Sequence, residues 1–225
     1  MFEAKLTDGT TLKKIVDSIK DLVTDVNLDV TPSGISLQAM DSSHVALVQL
    51  QLTESGFCFY RCDKPITLGL SITNLAKVMR LVNATDSIVL KCDSGVGKNA
   101  EPQHLTLVVE SAKGDRTTEF TLNLISLDSE SLGIPDTIYQ SEISMNSNDF
   151  AKLTRELFAL SETVTFEISQ GCVKFVVESE LGTGSIRITT SQDQFDSTKA
   201  VHLSFALRYL NLFNKAASLS QQVKL

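Results

Sequence analysis

The chain repeats itself, and that constrains its fold more than any other feature. Residues 12–50 and 150–188 superpose without a gap at an offset of 138. Apolar residues meet apolar ones at Leu12/Phe150, Ile15/Leu153, Ile19/Leu157, Leu22/Leu160, Val26/Val164 and Leu28/Phe166. They meet again at Val30/Ile168, Ile35/Val173, Leu37/Phe175, Val48/Ile186 and Leu50/Ile188. Few of these pairs are identical, so what recurs is a pattern of burial, and a burial pattern specifies a fold. At 225 residues the chain is also longer than one hydrophobic core usually serves. Two copies of one domain, 1–125 and 139–225, joined by a connector at 126–138, account for both facts.

Each copy opens with a short strand, Phe2–Leu6 and Tyr139–Met145. Apolar residues at spacings of three and four then predict one-faced helices over 10–21 and 147–158. Alternation over Val26–Val30, Ile35–Ala39 and Val45–Leu52 predicts antiparallel strands covered on one face. A second helix is expected over Ile72–Val82 and over Leu207–Ala216, and the first copy continues into strands Ser87–Cys92, His104–Glu110 and Thr117–Leu124. The class is α+β, with two helices laid on a large antiparallel sheet in each copy. The second copy is shorter. Only Ser220–Leu225 follows its second helix, and 188–201 offers too little chain to match the Phe57–Cys62 strand. Such a domain leaves sheet edges open, and the expectation is that residues of the natural protein are absent from this sequence.

The connector, Ser126–Tyr139, holds Gly133 and Pro135, which punctuate regular structure. Leu132 and Ile134 are apolar where a plain linker would be Gly, Ser or charge. Exposed apolar clusters mark contacts.

Net charge is −7, which by itself argues against a phosphate-binding protein. The distribution reverses that reading. The four helices carry Lys13, Lys14, Lys20, Lys77, Arg80, Lys152, Arg155, Arg208 and Lys215 against only Asp17, Asp21, Asp149 and Glu156, leaving −12 on the rest of the chain. If the helices share one side, that side is positive and the remainder acidic, which attracts a nucleic-acid backbone without regard to sequence.

Other chemistry finds little support. His44, His104 and His202 lack metal-ligand spacing. Cys58 and Cys62 form no CxxC motif, and all four cysteines, Cys58, Cys62, Cys92 and Cys172, read as reduced, buried thiols of an intracellular chain. The glycine pairs Gly95/Gly97 and Gly182/Gly184 lack the rest of a phosphate or dinucleotide loop, and no nucleophile elbow is present. No catalytic function and no cofactor are expected. The charged N-terminus is not a secretory signal, and no apolar run approaches a membrane span.

Met1-Phe-Glu-Ala-Lys-Leu6, Leu37-Gln-Ala-Met-Asp-Ser-Ser-His-Val45, Leu132-Gly-Ile-Pro135, Glu180-Leu-Gly-Thr-Gly184 and Phe205-Ala-Leu-Arg-Tyr-Leu210 closely resemble the proliferating cell nuclear antigen family, the eukaryotic DNA sliding clamps. The resemblance runs the length of the chain. It implies a nuclear homotrimeric ring of six like domains around duplex DNA, with the helices lining the hole. By resemblance the nine helix cations named above contact DNA. The ring joint would pair Thr117–Leu124, with Phe120 and Leu124, against about Leu181–Ile188, with Gly184 and Ile186. A groove beside the connector would take a short peptide, Gln-x-x-aliphatic-x-x-aromatic-aromatic, on Met40, His44, Val45, Leu47, Leu132, Ile134 and Pro135. Expected partners are DNA polymerases, the clamp loader, flap endonuclease and ligase. The rival reading is a scaffold that uses the groove without encircling DNA. Two departures stand out: the family's C-terminal strands and Ala-Pro-Lys-Ile tail are not in this sequence, and Gln170 stands where the family has its main ubiquitin-acceptor lysine.

Overall fold

The structure is a computed structural model that describes residues 1–93, 102–128, 132–134, 138–169, 171–189, 195–197 (backbone only) and 200–225. The chain divides into two compact units, Met1–Gly133 and Ile134–Leu225.

In unit 1 the elements run β1 (Phe2–Leu6), α1 (Gly9–Ile19), β2 (Asp25–Thr31), β3 (Gly34–Met40), β4 (Leu47–Thr53), β5 (Phe59–Cys62), β6 (Ile66–Ser71), α2 (Ile72–Met79), β7 (Ser87–Cys92), β8 (His104–Glu110) and β9 (Thr117–Asn123). They form two antiparallel sheets, in the orders β5-β1-β7-β8-β9 and β4-β3-β2-β6. Helix α1 starts where the Asp8 carboxylate accepts the Thr10 N–H, satisfying one of the free donors of a helix N-terminus. It buries Leu12, Ile15, Val16 and Ile19, the stripe its spacing predicts. Helix α2 packs beside it and contributes Ile72, Leu75, Val78 and Met79. Both helices and both sheets feed one core, in which Phe2, Leu37, Leu68, Leu70, Ile72, Leu105 and Leu107 are almost wholly buried. Each such side chain contributes about 1.5–3 kcal/mol relative to leaving it in water.

Unit 2 runs β10 (Ser141–Asn146), α3 (Ser147–Phe158), β11 (Thr163–Ser169), β12 (Cys172–Ser179), β13 (Gly182–Thr189), β14 (Phe195–Ser197), β15 (Val201–Ala206), α4 (Leu207–Phe213) and β16 (Gln222–Lys224). Its sheets are β14-β10-β16 and β13-β12-β11-β15. The core is smaller and centres on Ile143, Phe150, Leu157, Val164, Phe175 and Leu207.

The class is α+β, as expected, but several expectations need correction. Each unit holds two sheets rather than one, because β1 and β10 pair with strands late in the repeat while β2 and β11 pair with their sequence neighbours. The Phe57–Cys62 strand does have a counterpart: β14 pairs with β10 as β5 pairs with β1. The opening strand of unit 2 begins at Ser141, two residues later than the alternation suggested, and Tyr139 is exposed. Strand β4 begins at Leu47, two residues after Val45. Helix α1 ends at Ile19, short of the expected 21. Helices α2 and α4 are also shorter than expected. Past Met79 the chain tightens, with Leu81 N–H donating to Val78 O and Val82 N–H to Met79 O, and past Phe213 a 3-10 turn spans Asn214–Ser218.

The repeat is also not gapless. Lys174 lies opposite Arg187 where the equivalent Ser36 lies opposite Gln51, so the offset falls from 138 to 136 across this hairpin. Unit 1 has two extra residues there, in the loop Asp41–Ala46.

Candidate nucleic-acid face and partner groove

With their apolar stripes buried, the helices of each unit turn their cations outward. Lys14, Lys77 and Arg80 are exposed on α1, α2 and the end of α2, and Lys152, Arg155, Arg208 and Lys215 are exposed on α3, α4 and the turn after α4. Since α1 packs on α2 and α3 on α4, each unit presents its cations from one helix layer.

The nine positions are not equivalent. Lys13 is half-buried and its ammonium donates to Val82 O at 3.0 Å, just past the end of α2, so it ties the two helices together. A cation also complements the free carbonyls of a helix C-terminus. Lys20 bonds to Asp17 one turn earlier. Lys152 lies 3.9 Å from Glu156. Lys77 makes a neutral contact, donating to Asn74 Oδ1 at 3.2 Å. The Arg208 guanidinium sits 5.0 Å from the centre of the Tyr209 ring, which holds it without neutralising it. Among the described residues, Lys77, Arg80, Arg155 and Arg208 thus carry positive charge with no carboxylate paired to them, while Lys14 acts weakly on the Asp8 carboxylate.

The groove is built within unit 1, on the outer side of β2 and β3. It encloses about 410 Å³ and is lined by Met40, His44, Leu47 and Leu132 together with Asp25, Gln38, Leu127 and Asp128. Its rim depends on Asp41. This buried carboxylate accepts N–H groups from Ser43 at 3.0 Å, Val45 at 2.8 Å and Ala46 at 2.7 Å. Satisfying three donors at once, it folds the loop back and holds His44 in a left-handed conformation at φ 56°. Val45 points into solvent, 67% exposed.

The opposite wall is fixed from below. Ile125 N–H donates to Gly69 O at 2.8 Å, and Asn27 Nδ2 donates to Leu127 O at 3.1 Å. Position 69 tolerates only glycine, because a Cβ there would lie 2.0 Å from Ile125 O. Of the connector's expected groove residues, Leu132 lines the groove and is 44% exposed. Ile134 falls in unit 2 and is 49% exposed, and Pro135 lies outside the described residues. Gly69, Asn27 and Asp41 were not among the expected residues, although the Asp-Ser-Ser-His run is a turn signal in which an aspartate bonds its own following backbone.

A larger depression, about 1150 Å³, lies between β6 and the ends of β8 and β9. Its walls are mainly polar and neutral, including Asn27, Thr67, Gln103 and Asn123, and lack the apolar floor of the smaller groove. Among the described residues no cluster of His, Cys, Asp and Glu is arranged to hold a metal, and no helix is long and apolar enough to cross a membrane.

Strands β9 and β13, expected at a ring joint, each end a sheet. Phe120 and Leu124 are half-buried against the core of unit 1, and Ile186 against that of unit 2. A Cβ at Gly184 would make only ordinary contact, 3.5 Å from Val177 Cγ2, so its own unit does not require glycine there.

Residues 1–132 match the family described as proliferating cell nuclear antigen, N-terminal domain, and residues 133–225 match its C-terminal domain. The chain belongs to the proliferating cell nuclear antigen family. The proliferating cell nuclear antigen of Chaetomium thermophilum is 43% identical over 233 residues, an alignment that covers 100% of this chain and 88% of that protein. Family membership carries the coarse role of a DNA sliding clamp in replication and repair, a non-catalytic one.

Proposed function

We propose that three copies of this chain close into a ring around duplex DNA, with α1–α4 of every copy facing the phosphates. The observation that carries this reading is the helix layer of each unit, from which cations project on a chain whose net charge is −7. Binding to phosphates alone has no sequence preference, so the ring slides while topology retains it. Ring closure joins β9 of one copy to β13 of the next. Each ends a sheet, and a glycine that its own unit does not require admits a neighbouring backbone. The groove beside Met40, Leu47 and Leu132 takes the apolar side chains of short partner peptides, by which the clamp tethers polymerases, its loader, flap endonuclease and ligase in the nucleus. No cofactor takes part.

The deciding experiment loads the protein onto circular and linear duplexes. Retention on the circle with escape from the linear ends is expected. Equal retention on both, or a monomeric solution mass, removes the ring. Charge reversal at Lys14, Lys77 and Lys215 separates the clamp from a non-encircling scaffold: the clamp loses DNA while peptide affinity in the groove stays unchanged.

A further inference from the structure

The outer face of the sheet β13-β12-β11-β15 carries one continuous row of ionisable side chains. Arg187 is paired with Lys174, Lys174 with Glu167, and Glu167 with His202, one residue from each strand. In unit 1 the corresponding row is Gln51, Ser36, Asp29 and Thr67. The fold is therefore made without the two cations, and unit 2 has them for another reason.

Arg187 is held for binding. Its Nε donates to the sulfur of buried Cys172 at 2.9 Å, which fixes the plane of the guanidinium. The terminal N–H groups have no partner among the described residues. Such a planar fork matches a carboxylate. Lys174 stands one strand away, about 4.8 Å by strand spacing, and shares its ammonium with Glu167 at 3.0 Å. These residues, with Ser169 and His202, line a depression of about 440 Å³. The cationic end of the row lies on a chain that is acidic overall.

We propose that this depression is a receptor for an acidic peptide segment of a partner protein, with one Asp or Glu carboxylate seated on the Arg187 fork and a neighbouring acid on Lys174. The surface is built from residues of unit 2 alone, and Arg187 lies on β13, the strand given to the ring joint, so the test reads solution mass beside binding.

The test measures fluorescence anisotropy of a labelled Glu/Ser octapeptide on the intact protein at low ionic strength. A Lys/Ser octapeptide serves as control and inorganic phosphate as competitor. The double variant Arg187→Gln/Lys174→Ser installs the residues unit 1 carries, and its thermal unfolding and solution mass are expected to match the parent. Binding of the acidic peptide should weaken about tenfold in that variant and be absent for the Lys/Ser peptide. Equal binding by parent and variant overturns the proposal, as does binding of inorganic phosphate without binding of the acidic peptide. The single variant Arg187→Lys keeps the charge and removes the fork. A loss there close to that of the double variant supports bidentate seating, and full retention overturns the role given to Arg187.

Discussion

The two units build the same helix-on-helix joint from opposite chemistry. In unit 1 the contact between α1 and α2 is apolar, made by Val16, Ala76 and Met79, all buried. The equivalent positions in unit 2 are Thr154, Asn211 and Asn214. There the Thr154 hydroxyl donates to Phe150 O at 3.1 Å and accepts from Asn214, while Asn211 Nδ2 donates to Leu207 O at 2.9 Å and Thr154 O at 3.3 Å. Packing alone leaves a helix pair some freedom to slide, whereas directed bonds fix its register. The units differ again beneath β6 and β15. Leu68 and Leu70 are each 1% exposed, whereas their counterparts Leu203 and Phe205 are 54% and 39% exposed. Strands β8 and β9 extend the other sheet of unit 1, the one centred on β1 and β7, and among the described residues unit 2 has no counterpart to them. A shared backbone pattern therefore does not imply shared stability, and the weight of each position depends on what covers it.

The largest test of this contrast is truncation on the two sides of the repeat. Leu70→Ala should cost about 2–5 kcal/mol, and Phe205→Ala, already partly in water, about 1 kcal/mol, read from urea unfolding. Similar losses would show that the face of unit 2 is covered in solution.

The hairpins come next. Asp41→Ala strands the backbone donors of Ser43, Val45 and Ala46 and should cost about 2–4 kcal/mol. It should also speed amide exchange in that loop. The tighter Ser179–Gly182 turn of unit 2 is held instead by a hydroxyl, with Ser179 Oγ accepting the Leu181 N–H at 3.3 Å, and exchange there should be unchanged.

Thr154→Val should destabilise by about 1–3 kcal/mol, because it leaves the Asn214 amide without its acceptor. The triple change Thr154→Val/Asn211→Ala/Asn214→Met imports the joint of unit 1 and should recover most of that loss. A triple variant no better than the single one would mean the joints are not interchangeable.

The smallest effect concerns the caps. Asp8 begins α1, and the equivalent Asn146 begins α3, accepting from Asn148 N–H at 2.9 Å and Asp149 N–H at 3.3 Å. Hydrogen bonds from the Thr10 hydroxyl and backbone hold the Asp8 carboxyl below its usual range. A folded-state pKa below the unfolded one gives stability that is present above the unfolded value, about 3.9, and is lost as pH falls. Asp8→Asn keeps the cap and removes the titration, so acid unfolding curves should flatten slightly. An unchanged acid limb would show that the cap contributes nothing to it.

Much of this was legible in the sequence. Helix stripes and their outward cations follow from spacing alone, since burying Leu12, Ile15 and Ile19 leaves Lys14 no direction but out. The two-residue insertion at Asp41–Ala46 was hidden for a definite reason. Side chains alternate with period two, so a slip of two residues preserves which face each one takes, and Val48/Ile186 still match as inward apolar positions. Strand β14 is three residues long and offered too few alternations to register. The groove residues came from the family resemblance. Periodicity has no access to the pairing of Ile125 with Gly69, which joins residues far apart in sequence through backbone atoms.

The place of β10 in its sheet has a consequence for synthesis. It is the middle strand, between β14 and β16, so the sheet waits for residues 222–224 to leave the ribosome. Every described strand of unit 1 is available once residue 123 has been made. Translation adds about 5–20 residues per second, so unit 1 has several seconds to fold before β16 joins the sheet of unit 2. Two segments with one burial pattern on a nascent chain risk pairing with each other's strands, and finishing the first before the second gains β16 keeps them apart.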